Sequence, residues 1–295
     1  MKFNNTQIYN FEGAFRGMRN PKNSWNKSDS FFGVADLDYV NVNEEMEIAD
    51  EWVKAFHPNL NWPEDFTDEG CNLAEEYADK LIKNGVLRLN DNDNIADLAL
   101  IGPQDMKLAQ TLIKAGPEHR KFLRQIFVSV DITAPLYWWK EMDQYKIGTI
   151  TDSTSTMHKL TSKPITLESF EIDDFNPEIV YYEIPGAQND IGMFADFMIE
   201  QLEFLRQKYL ETKDKKYWKE LVRWLPESWL QTRTWSANYE VVRSICQQRR
   251  NHKLNEWAGK DDPSKNNFIK WAREELPYAQ YLIFDDENIP FQIEK

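Results

Sequence analysis

The segment "QIFVSVDITAP", residues 125–135, constrains the fold of this chain more than any other. It is rich in β-branched residues and Pro135 ends it, a composition typical of a buried β-strand. A buried strand has to pair within a sheet that other elements cover. The N-terminal "MKFNNTQIYN" also alternates enough to begin as a strand. We therefore expect a modest β-sheet that begins at the N terminus and includes "QIFVSVDI".

Several later segments have helical spacing and can cover this sheet. Apolar residues recur three and four positions apart in "IGMFADFMIEQLEFLRQKYLET", "KYWKELVRWL" and "TWSANYEVVRSICQQRRNHKLNEW", and "PSKNNFIKWAREEL" is the last predicted helix. A chain of 295 residues with 41% hydrophobic residues can bury a substantial core. The predicted fold class is α+β, a mixed core with a modest β-sheet covered by helices. The order of the strands stays open.

Negative charge is concentrated in one part of the chain. The formal net charge is -14, and 17 acidic residues lie between Asp36 and Asp97 against four basic ones, whereas acids and bases nearly balance elsewhere. Within this part, "NEEMEIADEWVKAF" and "CNLAEEYADKLIKNG" have helical spacing. We predict that residues 26–100 form an acidic, mainly helical insertion or arm. Residues 1–25 and 101–295 would then form the α+β core.

Composition and spacing argue against several functions. The acidic balance opposes direct binding to a phosphate backbone, which draws on clustered Lys and Arg. Cys71 and Cys246 are far apart, and the four histidines show no paired spacing, so a metal site is not expected. No apolar run approaches the roughly 18 residues that a membrane span needs. The sequence thus predicts no metal, no direct nucleic-acid binding, no membrane association and a cytosolic location.

The stretch "YKIGTITDSTSTMHK", residues 145–159, is the best candidate for an active site. It contains six Ser and Thr residues beside Lys146 and His158, and such groups can bind phosphate or position a nucleophile. Ser and Thr also fill turns and cap helices by bonding to local backbone. No Gly-rich loop precedes a Lys-Ser/Thr pair, which excludes the phosphate-binding loop of nucleoside triphosphatases. A ligand site and a structural loop are both compatible with these residues.

The same stretch resembles a motif of the flavin-dependent thymidylate synthases. Residues 144–157, "QYKIGTITDSTSTM", follow a predicted strand and helix, as the segment RHRxxSxNExSxRY does in that family. Lys146 stands at the third basic position, Thr149 and Thr154 stand at the two serines, and Asp152 stands at the glutamate. The other basic positions of the motif hold uncharged residues.

This resemblance implies a vestigial nucleotide pocket. The stretch "NYEVVRSICQQRRNHKLNEWA" is similar to the C-terminal helical segment of that family. The implied pocket consists of Lys146, Thr149, Asp152, Arg249 and Arg250. Because Thr cannot replace Arg at an anion, we predict a structural loop with no catalytic residues and no cofactor. The alternative is a flavin- or nucleotide-binding enzyme related to this family.

Across nearly the whole chain, the succession of segments resembles the phage Gabija anti-defence protein family. The segments are "FEGAFRGMRNP", "EHRKFLRQIFVSVDITAPLYWWKE", "STSTMHKLTSKPIT", "YLETKDKKYWKELVRWLPESWLQTRT" and "QRRNHKLNEW". The resemblance implies a phage-encoded inhibitor in the host cytoplasm that is not an enzyme. Such a protein binds and oligomerises around the host Gabija nuclease and helicase complex and blocks its DNA binding and cleavage.

The acidic arm is the predicted contact with that partner. A patch of negative charge can compete with DNA for a basic groove, and charge complementarity steers association. The candidate contact residues are Asp65, Asp68, Glu69, Glu75 and Glu76. The expected assembly is a homo-oligomer bound to a host protein complex.

Overall fold

The computed structural model describes residues 1–36, 87–89, 95–172, 180–184, 187–260 and 262–284. These residues form nine β-strands and ten α-helices. The strands are β1 Lys2–Tyr9, β2 Phe31–Asp36, β3 Leu87–Leu89, β4 Ile95–Leu100, β5 Phe127–Pro135, β6 Ile150–Ser153, β7 Val180–Ile184, β8 Ala187–Asp190 and β9 Leu230–Asn238.

The helices are interspersed with these strands along the chain. They are α1 Phe11–Arg19, α2 Pro103–Lys114, α3 Leu136–Met142, α4 Thr156–Lys159, α5 Ile191–Thr212, α6 Lys215–Arg223, α7 Tyr239–Arg249, α8 Asn255–Ala258, α9 Phe268–Glu275 and α10 Ala279–Leu282. Short 3-10 helices span Asn20–Lys22, Trp25–Lys27, Lys121–Gln125 and Leu167–Ser169.

A four-stranded sheet in the order β1-β5-β9-β6 contains the two strands predicted from the sequence. On β5 and β9, the hydroxyls of Thr133 and Thr232 lie 2.7 Å apart, and the Thr234 hydroxyl donates to Asp131 at 2.6 Å. Going from Asp131 to Thr133 along β5 therefore corresponds to going back from Thr234 to Thr232 along β9. The two strands are thus antiparallel. The sheet and the helices confirm the predicted α+β fold class.

A second sheet has the order β2-β4-β3, with both pairs antiparallel. Strands β7 and β8 form a separate antiparallel pair. The second sheet falls within residues 26–100, the predicted helical insertion. Residues 37–86 and 90–94 lie outside the described residues, so the predicted boundaries of the insertion stay a prediction.

The chain divides into two compact units. Unit 1 comprises Met1–Asn5, Val130–Trp235 and Asp262–Asn266, and unit 2 comprises Thr6–Ser129, Ser236–Asp261 and Asn267–Lys295.

Unit 1 is built around the long helix α5. Its core is a cluster of five buried side chains, Leu160, Ile165, Phe170, Leu202 and Leu221, against which Met198 and Leu205 pack. Met198, Leu202 and Leu205 are three and four positions apart and therefore share one face of α5. Helix α6 begins at Asp214, whose carboxylate accepts a hydrogen bond from the Lys216 backbone N–H at 3.0 Å. Capping by Asp supplies a partner for an otherwise unpaired helix donor.

Helix α1 contributes one apolar face to the core of unit 2. Phe11, Ala14, Phe15 and Met18 are buried, and their spacing places them on one side of the helix. The Phe11 ring meets the Tyr239 ring edge-on at 5.6 Å between centroids, a geometry that aromatic pairs favour.

The residues from Thr234 to Asn238 correct one predicted helix. The sequence predicts a single helix over residues 234–257, but these five residues complete strand β9. Trp235 and Ala237 are buried while Thr234 is exposed, which is the alternation of a strand. The side chain of Asn238 then accepts a hydrogen bond from the Val241 N–H at 3.1 Å and starts α7.

A charged pair on α5 fixes the helix to the preceding chain of unit 1. Arg206 donates to both carboxylate oxygens of Glu203, at 2.6 and 2.7 Å, and to the Thr161 carbonyl at 3.1 Å. Glu203 also accepts from the Ile165 backbone N–H at 2.9 Å. The hydrogen bonds from Arg206 are the main reason that the pKa of Glu203 is lowered to about 2, because they favour the charged carboxylate.

We predict that Glu203→Gln removes part of the acid sensitivity of unfolding. A lowered folded-state pKa gives stability that is complete above the unfolded-state value of 4.5 and is lost as the pH falls through about 2. The difference in unfolding free energy between the wild type and E203Q should therefore shrink from pH 4.5 to 2. Urea unfolding at a series of pH values measures it.

Glu211→Gln is the matched control on the same helix. Its pair with Lys208 is exposed, with 59% of the Glu211 side chain accessible, and exposed pairs contribute little. A difference between wild type and E203Q that stayed constant over this pH range would contradict the prediction.

Candidate functional site

The predicted residues of the hydroxyl-rich stretch lie in unit 1, on and before strand β6. Lys146 and Asp152 are exposed, and Thr149 is partly buried. The Thr149 hydroxyl donates to the backbone carbonyl of Tyr145, four residues earlier. Thr149 therefore bonds to its own turn.

Two further hydroxyls of this stretch, those of Thr154 and Ser155, also bond to backbone groups. The Thr154 hydroxyl donates to the Thr232 carbonyl at 3.1 Å, and Ser155 caps helix α4 by accepting from the His158 N–H at 3.2 Å. Such local bonds hold turns and helix ends.

The two predicted arginines lie in unit 2, where α7 ends. The Arg249 guanidinium stacks 4.7 Å from the centroid of the Trp257 ring, a cation–π geometry, and Arg250 is exposed. Lys146, Thr149 and Asp152 belong to unit 1. A pocket shared by all five residues stays a prediction.

The predicted partner contacts Asp65, Asp68, Glu69, Glu75 and Glu76 lie outside the described residues. In the part of the chain that is described, no three His, Cys, Asp or Glu side chains come together as metal ligands. Nor does any helix in that part combine the length and apolarity of a membrane span.

A wide basin opens on the surface of unit 2. Its walls come from the end of α1 and the two 3-10 turns that follow it, from α2, and from the 3-10 helix Lys121–Gln125. It encloses about 1150 Å³. We call it the basic basin.

The lining of the basic basin is both cationic and apolar. Five basic side chains line it against a single acidic one, Glu118, although the chain as a whole carries a net charge of -14. The basic residues are Arg19, Lys22, Lys27, Lys107 and Lys121. Apolar walls come from Met18, Pro21, Leu108, Leu112 and Phe122.

A buried carboxylate fixes one side of the basin. Asp105, on the first turn of α2, is fully buried and pairs with the Arg19 guanidinium. It also accepts hydrogen bonds from the hydroxyls of Ser28 at 2.5 Å and Ser30 at 2.6 Å. Arg19 donates in addition to the Ser24 carbonyl at 3.2 Å. These bonds tie the loop after α1 to helix α2.

The neighbouring Asp29 caps α2 from the same loop. Its carboxylate accepts from the backbone N–H groups of Gln104 at 2.7 Å and Asp105 at 3.0 Å, which satisfies two donors at the helix start. A Cβ on Gly102 would lie 2.2 Å from the Asp29 carbonyl oxygen. Glycine is therefore needed there for the loop and the helix to approach each other.

The basic basin is not predicted from the sequence. Its lysines are scattered from residue 22 to residue 121 and form no dense basic run. The local signals that do exist, Gly102-Pro103 before a helix and Asn20-Pro21 after one, mark helix boundaries rather than a site.

Unit 1 carries a second surface of note, on the outer face of α5. Phe194, Phe197 and Phe204 are 49%, 59% and 52% exposed. Their spacing of three and seven residues places them along one side of the helix, next to the face that carries Met198, Leu202 and Leu205 and packs on the core. We call these three residues the aromatic stripe.

Comparisons with known proteins yield likenesses in structure alone. No family model matches the chain, and no curated protein does either. A solved structure of flavin-dependent thymidylate synthase ThyX from Helicobacter pylori, complexed with FAD and dUMP, is similar over 87% of this chain and 98% of its own, with 16% identity and a TM-score of 0.44. A second structure of that enzyme with the same ligands gives 88% and 98% coverage, 16% identity and a TM-score of 0.42.

The UMP/dUMP methylase PolB from Streptomyces cacaoi, bound with 5-Br UMP, is similar over 58% of this chain and 79% of its own, with 12% identity and a TM-score of 0.40. These likenesses agree with the resemblance drawn from residues 144–157 to flavin-dependent thymidylate synthases. They contradict the prediction that the chain is not an enzyme, because the similar proteins are enzymes. Likenesses of this strength assign no catalytic residue.

We predict that Asp105→Ala strongly destabilises unit 2. The substitution leaves the Arg19 guanidinium buried without its carboxylate, and breaking a buried pair in this way costs about 3 to 5 kcal/mol. Denaturant unfolding monitored by circular dichroism gives the change in unfolding free energy.

Glu12→Ala on α1 is the control for loss of a surface ion pair. Glu12 pairs with Arg16 at 3.2 Å, and both side chains are more than half exposed, so its loss should cost no more than about 0.5 kcal/mol. Equal effects of D105A and E12A would show that the buried network contributes nothing special.

Proposed function

We propose that this protein is a phage-encoded inhibitor that binds the host Gabija nuclease and helicase complex as a homo-oligomer and blocks its DNA binding and cleavage. The identity of the partner comes from the resemblance of the chain to the Gabija anti-defence family. The observation that carries a protein-binding function is the aromatic stripe of α5.

The aromatic stripe has the chemistry of an interface anchor. Soluble proteins seldom leave several large apolar side chains exposed together without a binding role, and aromatic residues dominate the energetics of interfaces. A half-exposed Phe side chain presents about 100 Å² of surface to water. Burying that area contributes roughly 2.5 kcal/mol before the costs of association. Three such rings provide enough to anchor a complex when further contacts surround them.

The support behind the stripe suits this role. The adjoining face of α5 packs on the core of unit 1, and the Glu203–Arg206 pair fixes the helix to residues 161–165. Anchors on a fixed helix lose little conformational freedom on binding. The Lys208 ammonium lies 5.9 Å from the centroid of the Phe204 ring and gives the stripe a polar edge.

The acidic segment between Asp36 and Asp97 supplies the second part of the proposal. It contains 17 acidic residues against four basic ones, and this negative charge is complementary to a DNA-binding groove, which is basic. Complementary charge raises the association rate. Salt weakens this effect, since the Debye length falls to about 3 Å at molar salt. Competition with DNA for that groove explains how binding would also inhibit.

The experiment that tests the proposal is capture of purified Gabija complex by the immobilised full chain. Phe197→Ser combined with Phe204→Ser should weaken capture by about 100-fold, because it removes two central aromatic anchors. Ile147→Ser is the matched control, as Ile147 is 91% exposed in the same unit but lies outside the stripe. Equal capture by the double variant and the wild type would rule out the stripe as the contact.

In the same assay, neutralising Asp65, Asp68, Glu69, Glu75 and Glu76 together separates the contribution of charge. Capture should weaken, and its dependence on salt should become shallower. Failure of the wild-type chain to retain the complex at any salt concentration would overturn the proposed function itself.

The second candidate is a flavin- or nucleotide-binding enzyme related to flavin-dependent thymidylate synthases, the class of the similar solved structures. The motif resemblance at residues 144–157 favours it, and Lys146 and Asp152 are exposed on unit 1. Titration of the chain with FAD, followed by flavin absorbance, should then give binding that Lys146→Gln weakens about tenfold through loss of a charge-assisted bond. Lys163→Gln, exposed in the same unit, should have no effect. Absence of a spectral change at high micromolar FAD would remove this candidate.

A further inference from the structure

We infer that the basic basin of unit 2 binds a small phosphorylated molecule that also has an apolar part, such as a nucleotide. This site is separate from the aromatic stripe and from the residues of the hydroxyl-rich stretch. The charge, the size, the mixed lining and the rigidity of the basin support this assignment.

The first step is the charge of the basin. Lys22, Lys27 and Lys107 make no ion pair with any acidic side chain in the part of the chain that the structure describes, and the Lys121 ammonium is 3.9 Å from its nearest carboxylate, that of the exposed Glu118. Ammonium groups that line one basin repel one another, and an anion bound in the basin relieves that repulsion. In a chain of net charge -14, this local reversal of sign selects an anionic ligand.

The second step is size. A volume of about 1150 Å³ is slightly above the usual range for small-molecule sites, about 300 to 1000 Å³. The basin therefore has room for a molecule of nucleotide size. A nucleic-acid strand is disfavoured, since its backbone would extend from the basin over a strongly acidic protein.

The third step is the mixed character of the lining. Leu108 and Leu112 are one turn apart on α2, and Phe122 and Met18 close the apolar wall. Inorganic phosphate would use only the lysines and leave this wall in water. A ligand with an anionic group and an apolar or aromatic group fits both parts, as small-molecule sites usually combine apolar walls with a few polar groups.

The fourth step is that the walls are held in place before any ligand arrives. The Asp105 network ties the loop that bears Lys22 and Lys27 to helix α2, which bears Lys107. A preformed site pays less conformational entropy on binding.

Isothermal titration calorimetry on the full chain tests the inference, with ADP as the probe. We expect ADP to bind more tightly than either inorganic phosphate or adenosine, each of which satisfies only one part of the basin. Raising the salt from about 50 mM to about 300 mM should weaken ADP binding, because the lysines are exposed to screening. Lys107→Gln should weaken it roughly tenfold through loss of one charge-assisted contact.

Lys114→Gln is the matched control, because Lys114 is exposed on the same helix but does not line the basin. Both lysines are exposed, so neither variant should change the unfolding midpoint, and K114Q should bind ADP like the wild type. The inference is overturned if ADP does not bind at millimolar concentration, if K114Q weakens binding as much as K107Q, or if phosphate or adenosine alone matches ADP. Binding of a Glu-rich peptide in place of ADP would overturn it in favour of an acidic protein segment. Because the stripe residues play no part in this assay, its result does not depend on capture of the Gabija complex.

Discussion

The buried carboxylate of Asp105 is the constraint on which unit 2 and its basin depend. A charged group without access to water needs compensating partners, since its desolvation is otherwise too costly. Arg19 and the hydroxyls of Ser28 and Ser30 supply them. Through Ser28 and Ser30, the chain after α1 contacts Asp105 on the first turn of α2, and Lys22, Lys27 and Lys107 line the same basin. The polar core contact thus determines the geometry of a surface site.

The two units expose different chemistry on one acidic chain. Unit 1 presents three half-exposed aromatic rings along a helix whose other face is buried, and unit 2 presents a concave cationic surface. A row of aromatic rings suits a large protein partner, because its energy comes from apolar area. A concave cationic surface suits a small anion. The two proposed sites therefore suit different kinds of partner.

Part of the fold follows from local patterns, and part does not. Strands β1 and β5 are predicted correctly because their alternation and β-branched content are local properties. The end of β9 is missed because Trp235 is four residues before Tyr239, a spacing that also fits a helix. What makes Trp235 part of a strand is pairing with β5, which is nearly a hundred positions away, as the 99-residue separation of Thr133 and Thr232 shows. No local pattern contains that pairing.

By itself, the sequence determined the α+β class, most of the helices and the concentration of negative charge, because periodicity and composition are carried by neighbouring residues. Only the tertiary structure decided which polar groups converge. Arg19 and Asp105 are 86 positions apart, and the four lysines of the basin come from four separate elements. Their arrangement therefore depends on tertiary contacts such as the pairing of buried charges. The exposure of the aromatic stripe also depends on tertiary packing. Every apolar residue of α5 fits a helix, but packing on the core of unit 1 is what leaves Phe194, Phe197 and Phe204 on the outside.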